Sequence, residues 1–202
     1  MKKPVISFLV SGRGSNFRNV VDRIADRTIP AEFGAVISNK ADAGALEIAR
    51  ELGIASYTVE PKDYFTRKGH EKAIIRLFEQ HKTDLIIAAG YMRILSPYII
   101  NKYTCRIINI HPALLPAFPG MAAQKQAIEY GAKVSGCTVH FIDKGTDTGP
   151  IILQRTVPVL ENDTPAALSN RILEQEHIAL PEAVKLFCEG RISVHGRVVK
   201  IK

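Results

Sequence analysis

Two polar side chains with complementary chemistry, Asn109 and His111, stand two residues apart after a largely apolar run at 105–108. That run is typical of a buried strand, and three prolines and a glycine within 112–120 exclude a helix directly after it. Residues two apart on an extended chain point to the same side, so an amide and an imidazole are presented together. The pair suits stabilisation of a developing oxyanion, with the histidine also able to pass a proton. A plain strand-end role is the alternative.

Asp147 is a carboxylate that could complete this pair, in the turn-rich segment 143–150. The segment could fold back over His111, and a buried carboxylate beside an imidazole favours the imidazolium form. Asp143 is the competing candidate, with turn formation as its simpler role. The sequence contains no Ser-His-Asp nucleophile elbow and no cluster with metal-ligand spacing, so we predict no metal. An Asn-His-Asp set without a nucleophile indicates direct transfer between two bound substrates.

The glycine-rich segment 11–16, Ser-Gly-Arg-Gly-Ser-Asn, is a second candidate site. Glycines allow close approach, and the free amides at a helix start attract an anion, so the segment predicts a bound phosphate. It matches neither the P-loop nor the G-x-G-x-x-G pattern, which argues against a nucleoside triphosphate or a dinucleotide. A simple strand-to-helix turn is the alternative.

Alternating strands and helices through residue 110 must position these segments. Nearly continuous apolar runs such as 5–10 and 84–89 are typical of strands buried on both faces, which predicts an α/β fold with a doubly wound, mainly parallel sheet. Ligands bind at the carboxyl ends of such strands, where 11–16, 90–96 and 109–120 fall. The later elements predict an antiparallel C-terminal extension and a long C-terminal helix: strands at 138–142 and 151–157, a helix from 164 to 187 and a terminal hairpin.

The composition narrows the class of protein. The net charge is +7, but Lys and Arg are scattered without a basic run, which favours anionic small molecules over nucleic acid. No apolar run has the length of a membrane span, and the N-terminal run is too short for a signal peptide, so no membrane is predicted. Three widely spaced cysteines are expected to be buried thiols in a reducing compartment, which indicates the cytoplasm. The isolated His70, His81 and His195 are expected to be solvated.

Four segments together carry a family resemblance. They are 11–16, Gly-Tyr-Met-Arg-Ile-Leu-Ser-Pro at 90–97, Asn-Ile-His-Pro at 109–112 with Leu-Leu-Pro at 114–116, and Asp-Thr-Gly-Pro-Ile-Ile at 147–152. In this order they resemble the folate-dependent phosphoribosylglycinamide formyltransferases, over 5 to about 190. The resemblance implies the Rossmann-like formyltransferase fold in one domain, 1–202, with a phosphate-binding half, 1–110, and a folate-binding and C-terminal half, 111–202.

The resemblance also implies roles for individual residues. Gly14, Ser15 and Asn16 would bind the ribonucleotide phosphate, and Glu176 would bind the ribose portion. The catalytic residues would be Asn109, His111 and Asp147. The folate site would comprise Arg67, Met92, Arg93, Ile94, Leu95 and Asn109.

The implied reaction is an attack by the amine of phosphoribosylglycinamide on the formyl carbon of 10-formyltetrahydrofolate, which serves as co-substrate. Asn109 and protonated His111 would stabilise the tetrahedral oxyanion. Asp147 would keep His111 charged and help to relay a proton to N10, through water. The implied partners are small molecules only, with no nucleic acid and no membrane, and the chain is expected to be a monomer or homodimer.

The chain departs from the family pattern beside the catalytic pair. Relatives often carry histidines after Pro119-Gly120, where this chain has Met-Ala-Ala-Gln at 121–124, and Ala117 replaces a usual polar or basic residue. Ala117, Ala122 and Gln124 therefore bear on the shape of the formyl pocket. The nearest alternative function is a formyltetrahydrofolate hydrolase, in which water replaces the amine. A methionyl-tRNA formyltransferase and a catalytically idle folate- or nucleotide-binding protein are further alternatives.

Overall fold

The structure is a computed structural model that describes residues 2–202. The chain forms two compact units, the first ending at Ile108 and the second beginning at Asn109.

The first unit alternates strands and helices. Its strands are β1 (Val5–Val10), β2 (Glu32–Ser38), β3 (Ala55–Thr58), β4 (Leu85–Ile87) and β5 (Ile107–His111), the last of which runs on into the second unit. Its helices are α1 (Ser15–Ala25), α2 (Gly44–Glu51), α3 (Arg67–Gln80) and α4 (Pro97–Lys102), with a 3₁₀ turn at Pro61–Asp63. The strands lie in the order β3-β2-β1-β4-β5, and all four neighbouring pairs are parallel.

Burial explains why this part of the sequence takes these forms. Every residue of β1 is buried, which an apolar strand covered on both faces requires. Helix α1 buries Phe17, Val20, Val21 and Ile24, whose spacing follows the helical period. The chain winds from β1 to one side and then returns to β4 on the other, so the order of strands reverses between β1 and β4. Ligands of such sheets bind at this reversal point, and here the segments 11–16 and 88–96 leave the two strands.

The second unit is built differently. It contains α5 (Ala123–Tyr130), β6 (Val134–Phe141), β7 (Ile151–Pro158), α6 (Pro165–Cys188), β8 (Ile192–His195) and β9 (Val198–Ile201). Strands β6 and β7 pair antiparallel, as do β8 and β9, while β9 lies parallel to β7. Thr164 caps α6 by accepting a hydrogen bond from the Ala167 amide, which defines its first turn. Within 2–202, no helix has the length and apolarity that crossing a bilayer demands.

The structure confirms the predicted fold class, including the parallel sheet, the antiparallel extension and the long helix. Two smaller expectations are wrong. His70 is buried, because its ring packs against Tyr64 and its Nε2 lies 2.9 Å from the carbonyl oxygen of Val59. Of the three thiols only Cys137 is buried, since Cys105 lies in the turn between α4 and β5, Cys188 is the last residue of α6, and both are partly exposed.

Candidate active site

Asn109 and His111 lie at the end of strand β5, and His111 is 4% exposed. Its Nδ1 lies 3.3 Å from Oδ2 of Asp147, and its Nε2 lies 2.8 Å from the carbonyl oxygen of Phe118. Both ring nitrogens therefore face acceptors. A neutral imidazole has a single N–H and can donate to one of them, whereas an imidazolium has two and can donate to both.

Asp147 reaches His111 from the loop between β6 and β7. Its backbone is left-handed, with φ +55°, and its Oδ2 also accepts a hydrogen bond of 2.8 Å from the Gly120 amide. The competing carboxylate, Asp143, turns back on its own loop and accepts from the Gly145 amide and the Thr148 hydroxyl. The structure therefore brings Asp147, not Asp143, to the histidine.

His140, on β6, is a member of this cluster that we did not single out from the sequence. Its Nδ1 lies 2.9 Å from the carbonyl oxygen of Phe141, while its Nε2 lies 3.3 Å from Nδ2 of Asn109 and 3.7 Å from Oδ1 of Asp147. Burial lowers the pKa of His140 and so favours the neutral ring. Nδ1–H then donates to Phe141, and the bare Nε2 accepts from the Asn109 amide.

The segment after β5 is held by hydrogen bonds from the neighbouring strands. The Thr138 hydroxyl donates to the carbonyl of Ala113 at 2.6 Å and accepts from the Leu115 amide at 3.0 Å. The Gln154 amide donates to the carbonyl of Leu115 at 2.9 Å. These contacts fix the backbone that leads from His111 to Phe118.

The three positions expected to depart from the family pattern lie just after this segment or at its end. Ala122 is exposed and left-handed, with φ +57°, and it precedes the first residue of α5 without a capping side chain. Instead, the Gln126 side chain donates to the carbonyls of Pro119 and Met121. Ala117 is exposed in a turn that closes on Leu114, and Gln124 lies half-buried in the first turn of α5.

The predicted phosphate segment lies at the start of α1. Gly14 adopts φ +85°, and a Cβ there would come within 2.7 Å of the Ala45 Cβ, so both its conformation and its neighbour require glycine. Helix α1 begins at Ser15 without a side-chain cap. The first amides of a helix lack intrahelical acceptors, and α1 begins at Ser15, directly after Gly14.

The predicted folate segment follows β4. Met92 and Ile94 are 69% and 66% exposed, Arg93 is also exposed, and the Leu95 side chain is buried. The Arg67 Nη2 donates to the carbonyl of Ile94. Two exposed apolar side chains of this segment thus lie close to a guanidinium.

Two further features concern ligands. Glu176, the predicted ribose ligand, is buried on α6. It lies near Cys137, where burial, followed by this carboxylate, raises the pKa of the thiol to about 12. Within 2–202, no three His, Cys, Asp or Glu side chains are grouped as a metal ion would require.

Comparison with known proteins identifies the class. Residues 5–184 match the family model described as formyl transferase, and the chain belongs to that family. This confirms the family predicted from the four segments.

Individual relatives are more specific. The chain is 39% identical over 190 residues to phosphoribosylglycinamide formyltransferase of Escherichia coli (strain K12), covering 94% of this chain and 90% of that protein. It superposes on glycinamide ribonucleotide transformylase 1 from Symbiobacterium toebii with TM-score 0.97 and 46% identity, covering 98% and 94% of the two chains.

Two other relatives differ in length. The chain is 41% identical to the trifunctional purine biosynthetic protein adenosine-3 of Chironomus tentans but spans only 14% of its length, with 96% of this chain covered. A formyltetrahydrofolate deformylase from Pseudomonas syringae pv. tomato superposes with TM-score 0.92 at 26% identity, covering 99% of this chain and 66% of that one.

Proposed function

We propose that the chain transfers the formyl group of 10-formyltetrahydrofolate to the amine of 5-phosphoribosylglycinamide, as a step of de novo purine biosynthesis. The products are formylglycinamide ribonucleotide and tetrahydrofolate. The proposal is supported by membership of the formyl transferase family. It is also supported by relatives that are named for this activity and that the chain matches over nearly their whole length.

The arrangement of Asn109, His111 and Asp147 carries the proposal. His111 lies 3.3 Å from a carboxylate and 2.8 Å from a carbonyl, and both of these groups accept hydrogen bonds. A charged imidazole and an amide donor serve a reaction whose transition state develops negative charge on oxygen. These groups fit direct transfer, without a covalent enzyme intermediate.

In the proposed step the amine nitrogen bonds to the formyl carbon, and the carbonyl electron pair moves onto oxygen. Asn109 Nδ2–H and His111 Nε2–H stabilise that oxyanion, while Asp147 contacts Nδ1 at the opposite edge of the ring. The amine then loses a proton, N10 gains one, and collapse breaks the bond between the formyl carbon and N10.

The carbonyl of Phe118 competes with the oxyanion for a hydrogen bond from His111. It accepts from the same Nε2 that the mechanism assigns to the oxyanion. The formyl oxygen must therefore replace this carbonyl as the acceptor. Phe118 has φ +54°, and Gly120, two residues later, has φ +79°, so the turn that carries the carbonyl contains two left-handed residues.

We further propose the binding roles implied by the family. Gly14, Ser15 and Asn16 would bind the phosphate of the acceptor and Glu176 its ribose, supported by the uncapped start of α1 and the burial of that carboxylate. The folate would bind to Arg67, to the segment 92–95 and to Asn109, supported by the exposed apolar side chains beside a guanidinium.

We also propose that the enzyme is one formyltransferase domain working in the cytoplasm, as a monomer or homodimer. It would need no metal ion and no nucleic acid. Light scattering on the purified protein measures the oligomeric state.

The decisive experiment measures consumption of 10-formyltetrahydrofolate with and without glycinamide ribonucleotide. Turnover that requires the ribonucleotide is the expected result. Turnover without it would support the hydrolase, the alternative favoured by the likeness to a formyltetrahydrofolate deformylase. Binding of both ligands without turnover would indicate an idle binding protein.

A further inference from the structure

A buried carboxylate outside the catalytic cluster, Glu71 on α3, holds the end of the segment that follows β4. Its side chain is 3% exposed. It accepts a 2.7 Å hydrogen bond from the Ser96 amide and another from the Ser96 hydroxyl, and its Oε1 lies 3.4 Å from Nε of Arg67.

The segment 91–96 depends on such contacts because it belongs to no helix or strand. Side chains hold it at three points along its length. The Ser11 hydroxyl accepts from the Met92 amide, Arg67 donates to the carbonyl of Ile94, and Glu71 accepts from Ser96. Glu71 acts at two of them, because it bonds Ser96 directly and also contacts the guanidinium that holds Ile94.

We propose that Glu71 is a positioning residue for folate, acting through the backbone at 92–96 and through the guanidinium of Arg67. The inference rests on the proposed function, which places folate on Arg67 and 92–95. Glu71 is too buried to meet the ligand itself. Its carboxylate sets the spacing between Arg67 and the exposed Met92 and Ile94, so that one ligand finds the cation and the apolar surface together.

The chemistry of the side chain explains why a carboxylate serves here. Two oxygens with four lone-pair sites accept from both Ser96 donors and from Arg67 at once. Glutamine keeps the shape and one acceptor oxygen but loses the charge opposite Arg67. Alanine loses every contact. The alanine variant should therefore weaken folate binding more than the glutamine variant does.

The test is steady-state kinetics on Glu71→Ala and Glu71→Gln. We expect the KM for 10-formyltetrahydrofolate to rise about tenfold in the alanine variant, and less in the glutamine variant, because buried charge-assisted hydrogen bonds are lost. The kcat and the KM for glycinamide ribonucleotide should stay within about twofold of the wild-type values. Glu79→Ala is the matched control, since Glu79 is an exposed residue of the same helix and its carboxylate forms an ion pair with Lys102.

Several outcomes would overturn the proposal. An unchanged KM for folate in Glu71→Ala, or an equal rise in the KM for the ribonucleotide, would show that Glu71 only supports the fold. If Glu71→Ala does not fold, Ser96→Ala removes the partner hydroxyl and should raise the same KM.

Calorimetric titration with 10-formyltetrahydrofolate separates this inference from the proposed function. Wild-type protein that binds the folate but does not transfer its formyl group would refute the proposed function. Weaker binding by Glu71→Ala would then still support the positioning role, and equal binding would refute it.

Discussion

The Nε2 atom of His140 lies 3.3 Å from Nδ2 of Asn109. Two nitrogens can share a hydrogen bond only if one of them lacks a proton, and the His140 ring gives its own N–H to Phe141. One Asn109 N–H is thereby directed to His140, and the second stays available to an oxyanion. In the proposed function, His140 would thus determine which atom of the Asn109 amide meets the substrate.

Two replacements of His140 should distinguish the effects of its two hydrogen bonds, one to Asn109 and one to Phe141. His140→Gln places an amide oxygen near the former Nε2 and can still accept from Asn109, whereas His140→Asn reaches only toward Phe141. We expect kcat to fall about 10- to 100-fold in His140→Asn and clearly less in His140→Gln, as for other lost transition-state donors. Steady-state kinetics measure this, and equal losses in both variants would contradict the orientation role.

His111→Ala should reduce turnover far more than binding. Its contacts with the developing oxyanion strengthen in the transition state, so we expect kcat to fall by about 100- to 10,000-fold with folate binding nearly unchanged. His195→Ala, at an exposed position in the terminal hairpin, is the control. A kcat for His111→Ala near the wild-type value would refute the catalytic assignment.

Mild acid should destabilise the protein through His140 and His177. Burial lowers the pKa of both rings below 6.5, so the unfolded chain binds their protons more readily than the folded one. The contribution of these two neutral rings to the free energy of unfolding should therefore be fully present above pH 6.5. It should be lost as the pH falls through the folded-state pKa values. Urea titrations between about pH 5 and pH 8 measure this, and His140→Gln should flatten the dependence. A stability that rises on acidification would contradict it.

Gly14→Ala should damage the start of α1. A Cβ at φ +85° is strained and would lie 2.7 Å from the Ala45 Cβ, so we expect a loss of about 1–3 kcal/mol in the free energy of unfolding. The KM for glycinamide ribonucleotide should rise at the same time. Gly12→Ala is the comparison, since a Cβ there meets nothing within 4 Å and the stability should be nearly unchanged. Equal losses in both variants would show that the strain argument is wrong.

Much of the fold follows from the sequence because apolar runs and turn residues alternate clearly up to residue 110. The same patterns place β6, β7, α6 and the terminal hairpin. Asp147 could be suggested but not chosen over Asp143 from spacing alone. The choice depends on a left-handed backbone at Asp147 and on the Gly120 amide, and both are set by tertiary structure.

Other features had weak signals or none. His70 stands four and eight residues before Ile74 and Phe78 on the buried face of α3, a spacing that could have predicted its burial. His140 lies in a strand buried almost throughout, where alternation does not separate a catalytic face from a core face. The carbonyl of Phe118 is a backbone group, and no side-chain pattern reports where a carbonyl points.

The hydroxyl of Ser11 has a consequence for how the two ligands would affect each other. It donates to Oδ1 of Asn39 at 2.5 Å and accepts from the Met92 amide at 2.8 Å. The glycine-rich segment 11–16 is therefore hydrogen-bonded directly to the segment after β4. A ligand that orders either segment lowers the entropy cost of ordering the other. The affinities for ribonucleotide and folate should then be coupled thermodynamically, by the same factor in both directions.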